Sequence, residues 1–380
     1  MAEFRVIPRS QGKRHGTWKV KFNQRFPGPT IRQRPLKRFY GLDAMRGIAA
    51  ITVLCFHINL QFASDYLPYA YLAVDFFFML SGFVLAQAYE APLRTGLSAA
   101  DFLKMRIIRL YPMFALGAVL GIATLAAQNW THSGHAMDMP RSIVSATLNL
   151  SGLPSPANPL LFPINPPAWS LFFEFLINIA FASLLFRLGD TMLRVFTAIT
   201  ASIFVIIIFH YGDAGVGPGW QSSLAGLVRV SYWFSLGMVF ARFRNHIDAI
   251  PSQVSILASI LLAGLLLVPI TQEITMPFNM LAVFIVLPGI LWMGIVFDLP
   301  RTLRPAGKFL GDISYPLYAV HMPLLQMATY GVRRFDLPVI PSMMAFAAGS
   351  IATAWALAHF LDAPARKWLS REFLPRPKAL

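Results

Sequence analysis

One cysteine in 380 residues, Cys55, excludes an intramolecular disulfide framework and any metal site built from several cysteines. A nucleophilic Cys55 competes with the plainer reading of a small apolar residue inside a helix. Charge is scarce too: 13% of residues are charged and 56% hydrophobic, so a water-soluble domain would lack the polar residues to cover its surface. Acidic residues are fewest, 17 against 32 Lys plus Arg, leaving a net charge of +15. A cleavable leader is not expected, because residues 1–40 are basic and hold no apolar core ahead of a small-residue cleavage site. Residues 1–38 read as a disordered cytosolic tail, 39–372 as one transmembrane domain and 373–380 as a second short tail.

What the chain has in abundance is uncharged apolar sequence. Windows at 110–127, 195–212, 252–272, 274–297 and 337–361 are each long enough to cross about 30 Å of hydrocarbon as a helix. Helices are required because lipid offers no partners to free backbone groups. The expected fold is therefore all-α, a polytopic membrane helix bundle of about ten spans. These lie near 41–63, 69–89, 110–127, 168–186, 195–211, 223–241, 252–270, 277–297, 311–330 and 340–361. With the N-terminus inside, 27 of the Lys and Arg residues fall on the cytosolic side and three, Arg141, Arg333 and Arg334, on the other. That asymmetry follows the positive-inside rule, places both termini in the cytosol, and accounts for the basic charge without nucleic acid. One outer connection, 128–167, is long and contains "LPSPANPLLFPINPP", whose prolines forbid a continuous helix. Its apolar residues are expected to fold back on the bundle or the membrane surface, and a loop of this length usually binds something.

Ionisable side chains within spans are costly, and each marks a candidate site. Arg46 and His57 stand eleven residues apart, which puts them within about 20° on one helix face and about 16 Å apart along it. Arg46 then lies near the cytosolic surface, as a snorkelling anchor or a ligand-binding cation. His57 lies in the outer half, as a histidine satisfied by nearby backbone or as a base. Asp75, Glu174 and Arg229 each come six residues into a span that descends from the outer face, about 9 Å deep and close to His57. Four such groups at one level are expected to pair. They form either an ion network that holds helices together or a carboxylate–histidine arrangement for general-base catalysis.

A second cluster precedes the third span, where "DFLKMRIIRLYP" presents Lys104, Arg106 and Arg109. Arg106 and Arg109 are one helical turn apart, suited to a multiply charged phosphate ligand or to lipid headgroups. The ninth span opens with "FLGDISYPLYAVHMPLL", in which Ser314, Tyr315 and Tyr318 make a polar start and Pro316 and Pro323 loosen the helix. His321 follows about 15 Å along, on the same face as Tyr318. These residues line a substrate channel, together with Trp169 and Ser170, or serve interhelical hydrogen bonding. His132 and His135 have metal-like spacing but no third ligand, so no metal is expected. Gly117 and Gly121 form a GxxxG of the kind that lets helices pack closely.

Six segments taken in order resemble the signatures of the membrane-bound acyltransferase-3 family, whose members O-acylate surface polysaccharides, lipopolysaccharide and some secondary metabolites. They are "GLDAMRGIAAITVLCFH" (41–57), "VDFFFMLSGFVL" (74–85), "FLKMRIIRLYP" (102–112), "AWSLFFEF" (168–175), "LGDISYPLYAVHMPL" (310–324) and "LDAPARKWL" (361–369). Ala44 and Asp362 depart from the pattern, where relatives commonly carry Gly and Glu. The resemblance implies a multi-pass O-acyltransferase of the bacterial inner membrane. Its donor would be cytosolic acyl-CoA, acetyl-CoA foremost, and its acceptor a hydroxyl of a glycan or glycolipid. It makes His57 the base and Arg46, Arg106, Arg109 and Glu174 important polar residues. On that reading Arg46, Arg106 and Arg109 hold the donor's phosphates, Glu174 or Asp75 orients His57, and Arg229 stabilises the oxyanion. An extended pantetheine arm of about 15 to 20 Å matches the helix rise from Arg46 to His57.

Two other classes compete. Charged groups at mid-depth also suit a proton-coupled transporter or glycolipid flippase, although the chain has no inverted repeat. A non-catalytic membrane partner of a polysaccharide assembly complex is the third.

Overall fold

The computed structural model describes residues 38–62, 69–131, 137–244, 250–268 and 275–374. The tail up to residue 37, His132 and His135 lie outside the described residues. All ten segments read as spans are helical. In chain order the helices are α1 (Tyr40–Gln61), α2 (Leu72–Arg94), α3 (Ala99–Thr131), α4 (Met139–Leu150), α5 (Ala168–Ser183), α6 (Asp190–Tyr211) and α7 (Ser223–Arg244). There follow α8 (Val254–Leu267), α9 (Thr275–Leu281), α10 (Leu287–Val296), α11 (Arg304–Arg334), α12 (Val339–Leu357) and α13 (Ala363–Phe373). A π-helical turn over 282–286 joins α9 to α10, and another over 358–362 joins α12 to α13. The strand structure is a parallel contact of Ile250–Pro251 with Phe297–Asp298.

Seven of these segments are long and apolar enough to cross a membrane: α1, α2, α3, α6, Trp220–Arg244, Met276–Val296 and Val339–Phe373. The chain is thus a multi-pass membrane protein. Helix α6 shows why such sequences suit lipid: Ile199, Ile203, Ile206 and Phe209 are exposed along it, an arrangement water would penalise and hydrocarbon does not. Helices α5 and α8 are apolar but shorter. Helix α11 is long but carries Lys308 and Asp312 in its early turns.

Helix α1 runs parallel to α11 with a nearly constant offset. Arg46 meets Gly311 and Ser314, and eleven residues further on His57 meets His321. Helix α2 lies against α7 with backbones almost touching, because a Cβ on Gly82 would collide with Phe234 O and one on Gly237 with Met79 O. The main core fills the space among α2, α5, α6, α7, α8 and α10 with Phe76, Phe83, Phe181, Phe204, Trp233, Leu262 and Leu291.

The proline-rich stretch after α4 enters the bundle. Leu161, Phe162 and Ile164 are buried, and Asn165 Nδ2 donates to Ala319 O on α11 at 2.8 Å. Ala319 O is available because Pro323, four residues on, has no N–H to give it. On α3, a Cβ on Gly117 would collide with Ala319 O and one on Gly121 with Ile164 O, so this GxxxG makes room for the entering loop. Irregular backbone at such depth needs partners. Asn149 supplies several, donating to Leu153 O at 3.1 Å and Leu161 O at 3.3 Å and accepting from Ile164 N. The loop before α7 locks onto it: Trp220 Nε1 donates to Ser155 O at 2.8 Å, and Leu161 N to Pro218 O at 3.0 Å.

Candidate active site

A cavity of about 300 Å³ opens among α1, α2, α3, α5 and α11. One face of α2 lines it: Val74, Phe77, Phe78, Ser81, Val84, Leu85 and Ala88 recur at three and four residues. At about 1.5 Å per residue this wall is about 20 Å long. Arg106 meets the middle of this wall through the Glu174 carboxylate that it shares with Ser81, Arg46 and Arg109 also line the cavity, and at Phe77 the wall meets the Tyr318 ring. Its lining thus combines three guanidinium groups with a largely apolar helix face.

Each guanidinium is held differently. Arg46 donates from Nη2 to Gly311 O at 2.8 Å and from Nε to Ser314 Oγ at 2.9 Å, and lies 3.1 Å from Asp43. Asp43 is shared with Arg38, which also pairs with Asp312 at 2.8 Å. Burial works against the Arg38 charge, but Asp312 and Asp43 outweigh it and hold its pKa above the ordinary value. Arg106 donates from Nη2 to Glu174 Oε1 at 2.8 Å, and Ser81 Oγ donates to the same oxygen at 3.0 Å. Arg106 Nε is buried with no hydrogen-bond partner among the described residues. Arg109 is exposed and, among the described residues, has no hydrogen bond or ion pair. Tyr315 donates its hydroxyl to Leu110 O, which ties α11 to α3 beside the cavity. Three cations and one carboxylate, itself bound to Arg106, leave the wall with a positive excess suited to an anionic ligand.

Beside Tyr318 lies a pair of imidazoles. His321 Nε2 is 3.1 Å from His57 Nδ1, and His57 Nδ1 is also 3.0 Å from Val53 O. Tyr318 stands between this pair and the cavity. Its ring is 5.9 Å from that of His321 and edge-on to Phe77, and its hydroxyl is 2.6 Å from Ser170 Oγ. His321 is 1% exposed, whereas His57 is half-buried.

The four groups expected at one level separate. Asp75 and Arg229 do meet, both fully buried, with Nε to Oδ1 at 2.6 Å and Nη2 to Oδ2 at 3.0 Å. Two further Arg229 donors go to Val216 O at 2.8 Å and Tyr71 O at 3.3 Å, so four of its five N–H groups are occupied, and Arg229 does not line the cavity. Glu174 pairs with Arg106 from the other cluster instead. The loop of 151–167 descends into the bundle before α5 begins, so counting residues from the outer face misplaces Glu174. Neither carboxylate reaches His57, whose ring partners among the described residues are Val53 O and His321. Trp169 also sits outside the cavity, with the Arg229 guanidinium 5.7 Å from its ring. Ser170, Ser314, Tyr315 and Tyr318 line the cavity, and His321 does not.

Sequence reasoning missed Ser81, Asp43, Arg38 and Asn165. The α2 wall was signalled by its own periodicity, since Val74, Phe77, Phe78 and Ser81 fall at helical spacing. Asp43 is three residues before Arg46 and so on its face. Asn165 had no local signal, because its partner is set by a proline 158 residues away in sequence.

The sequence model of the family Acyl_transf_3, described as an acyltransferase domain, matches residues 39–359. A protein of Rhizobium radiobacter called "Protein 2 in picA locus" is 38% identical over 162 residues, covering 40% of this chain and 84% of that protein. No solved structure matches the chain.

Proposed function

The chain belongs to the acyltransferase-3 family, and from that membership we propose an integral membrane O-acyltransferase of the bacterial inner membrane. It has ten spans and both termini in the cytosol, and it moves an acyl group, acetyl foremost, from cytosolic acyl-CoA to a hydroxyl of a glycan or glycolipid. The charge asymmetry of 27 cytosolic to three outer Lys and Arg supports the orientation. Seven of the ten spans are supported by length and apolarity, and α5, α8 and α11 by their places in the bundle.

The observation that carries this reading is the cavity's polarity. Arg46, Arg106 and Arg109 in its lining take the donor's phosphates, and the α2 wall includes Phe77, whose ring meets Tyr318 beside His321. His57 removes the proton from the acceptor hydroxyl as that oxygen bonds to the thioester carbonyl carbon. The carbon–sulfur bond then breaks, and the proton returns to the departing thiolate to give free CoA. The Ser170 to Tyr318 hydrogen bond closes the path at rest, so the thioester reaches His57 when Tyr318 swings aside.

The test is thiol release from acetyl-CoA by purified full-length protein in detergent, with and without a glycan acceptor. Release is expected in the wild type, faster with acceptor, and lost in His57→Ala. Wild-type rates in that variant would exclude His57 as the base. Vesicle uptake of labelled solute without CoA turnover would instead indicate a carrier.

A further inference from the structure

Two histidines in hydrogen-bond contact inside a membrane protein constrain where their protons sit. His321 Nδ1 faces two backbone carbonyls, Leu317 O at 3.1 Å and Tyr318 O at 2.9 Å. A carbonyl only accepts, so Nδ1 of His321 carries the hydrogen. In a neutral imidazole the other nitrogen is then bare, and His321 Nε2 is an acceptor aimed at His57 Nδ1, 3.1 Å away. His57 Nδ1 must therefore carry a hydrogen, which Val53 O at 3.0 Å also demands. The remaining nitrogen of His57, Nε2, has the free lone pair.

We propose that His321 is a positioning residue: it accepts a hydrogen bond from His57 Nδ1–H, fixes His57 in the tautomer whose bare Nε2 is the base, and shares the charge formed there. This deepens the acyltransferase reading and rests on His57 being its base. When Nε2 takes the acceptor's proton, His57 becomes an imidazolium. Its Nδ1–H then points at a neutral nitrogen rather than at a carboxylate. The proton on Nδ1 can pass to His321 Nε2, leaving His57 neutral and the charge on an imidazolium whose Nδ1–H meets two carbonyl oxygens. The reverse transfer returns the Nδ1 proton and the charge to His57 as Nε2 delivers its proton to sulfur, which leaves both rings neutral. Among the described residues nothing else charged is bonded to the pair: α1 contributes Val53 O and the Phe56 ring, α11 contributes the Leu317 and Tyr318 carbonyls, and the ion pairs lie elsewhere.

Variants of the full-length protein in detergent test this, with thiol release from acetyl-CoA and water as the acceptor. His321→Leu removes the acceptor nitrogen, and kcat is expected to fall about 100-fold or more with donor KM within about twofold. His321→Gln offers its Oε1 to the same hydrogen, and is expected to recover kcat to within about tenfold of wild type. Equal losses in the two variants, or wild-type kcat in His321→Leu, overturn the proposal. Nitrogen-15 NMR of histidine-labelled wild-type protein reads the tautomer without any turnover. A ring protonated at Nδ1 and bare at Nε2, whose signals vanish in His57→Ala, is expected, and a His57 protonated at Nε2 instead overturns the proposal. An Nδ1–H signal in the wild type beside full activity in His57→Ala would sink the catalytic reading alone. An Nε2–H signal beside an inactive His57→Ala would sink this inference alone.

Discussion

Arg106 on α3 and Glu174 on α5 meet at 2.8 Å in the cavity wall, joining two residues that the chain separates by 68 positions. Their side chains are 8% and 17% exposed, so each neutralises a charge that the surroundings solvate poorly. Glu174→Ala strands a buried cation and is expected to reduce stability by about 3 kcal/mol. Replacing both partners, Arg106→Met with Glu174→Leu, is expected to restore most of it. Thermal unfolding of the four proteins in detergent completes the cycle, and simple additivity would mean that the two groups do not interact.

Arg109 faces the cavity and, among the described residues, forms no ion pair, the nearby Asp362 being bonded to Arg366. Its charge is therefore free for a ligand, while that of Arg106 is already answered by Glu174. Arg109→Ala is expected to raise the acetyl-CoA KM about tenfold with kcat nearly unchanged, and the effect should shrink as salt is added. Initial-rate kinetics at two ionic strengths decide it, and an unchanged KM would remove Arg109 from the donor site.

Asp75 and Arg229 satisfy each other in the core, away from the cavity. Truncating either to alanine is expected to destabilise the protein by about 3 to 5 kcal/mol, because the partner stays buried and unpaired. The kcat of whatever fraction remains folded is expected to stay within about threefold. A loss of about 100-fold in well-folded Arg229→Ala would return that guanidinium to the reaction.

Tyr318→Phe keeps the ring against Phe77 and removes the hydrogen bond to Ser170. A net hydrogen bond of about 1 kcal/mol corresponds to about a fivefold rise in the population with the side chain swung aside. Thiol release from acetyl-CoA without a glycan acceptor is expected to rise by that factor. An unchanged rate would mean that Tyr318 is not the barrier.

The helical spans were legible because hydrocarbon requires long apolar runs, and α1, α2, α3 and α6 fall close to where those runs lie. The shared level of Asp75 and Arg229 was legible for the same reason: both helices start at one face, and equal counts give equal depths. Counting failed for Glu174, whose helix begins after a loop that has already descended. The contact of His57 with His321 was also within reach of counting, since each lies 17 residues from the start of its helix, Tyr40 for α1 and Arg304 for α11. What hid it was the expectation that a histidine takes a carboxylate partner. The pairing of Asn165 with Ala319 depends on how three distant segments pack, and no local pattern carries that.

On the proposed function, the interlocked segments that precede α5 and α7 bear on attempts to redirect acceptor choice. Ser155 and Leu161 are bonded to Trp220 and Pro218, and Asn165 is bonded to α11 through a carbonyl that Pro323 left open. A swap of residues 153–167 alone between homologues would break both attachments. The transferable unit is a composite: the proline stretch, residues 212–222, the two small positions on α3, and the proline of α11 that frees Ala319 must move together.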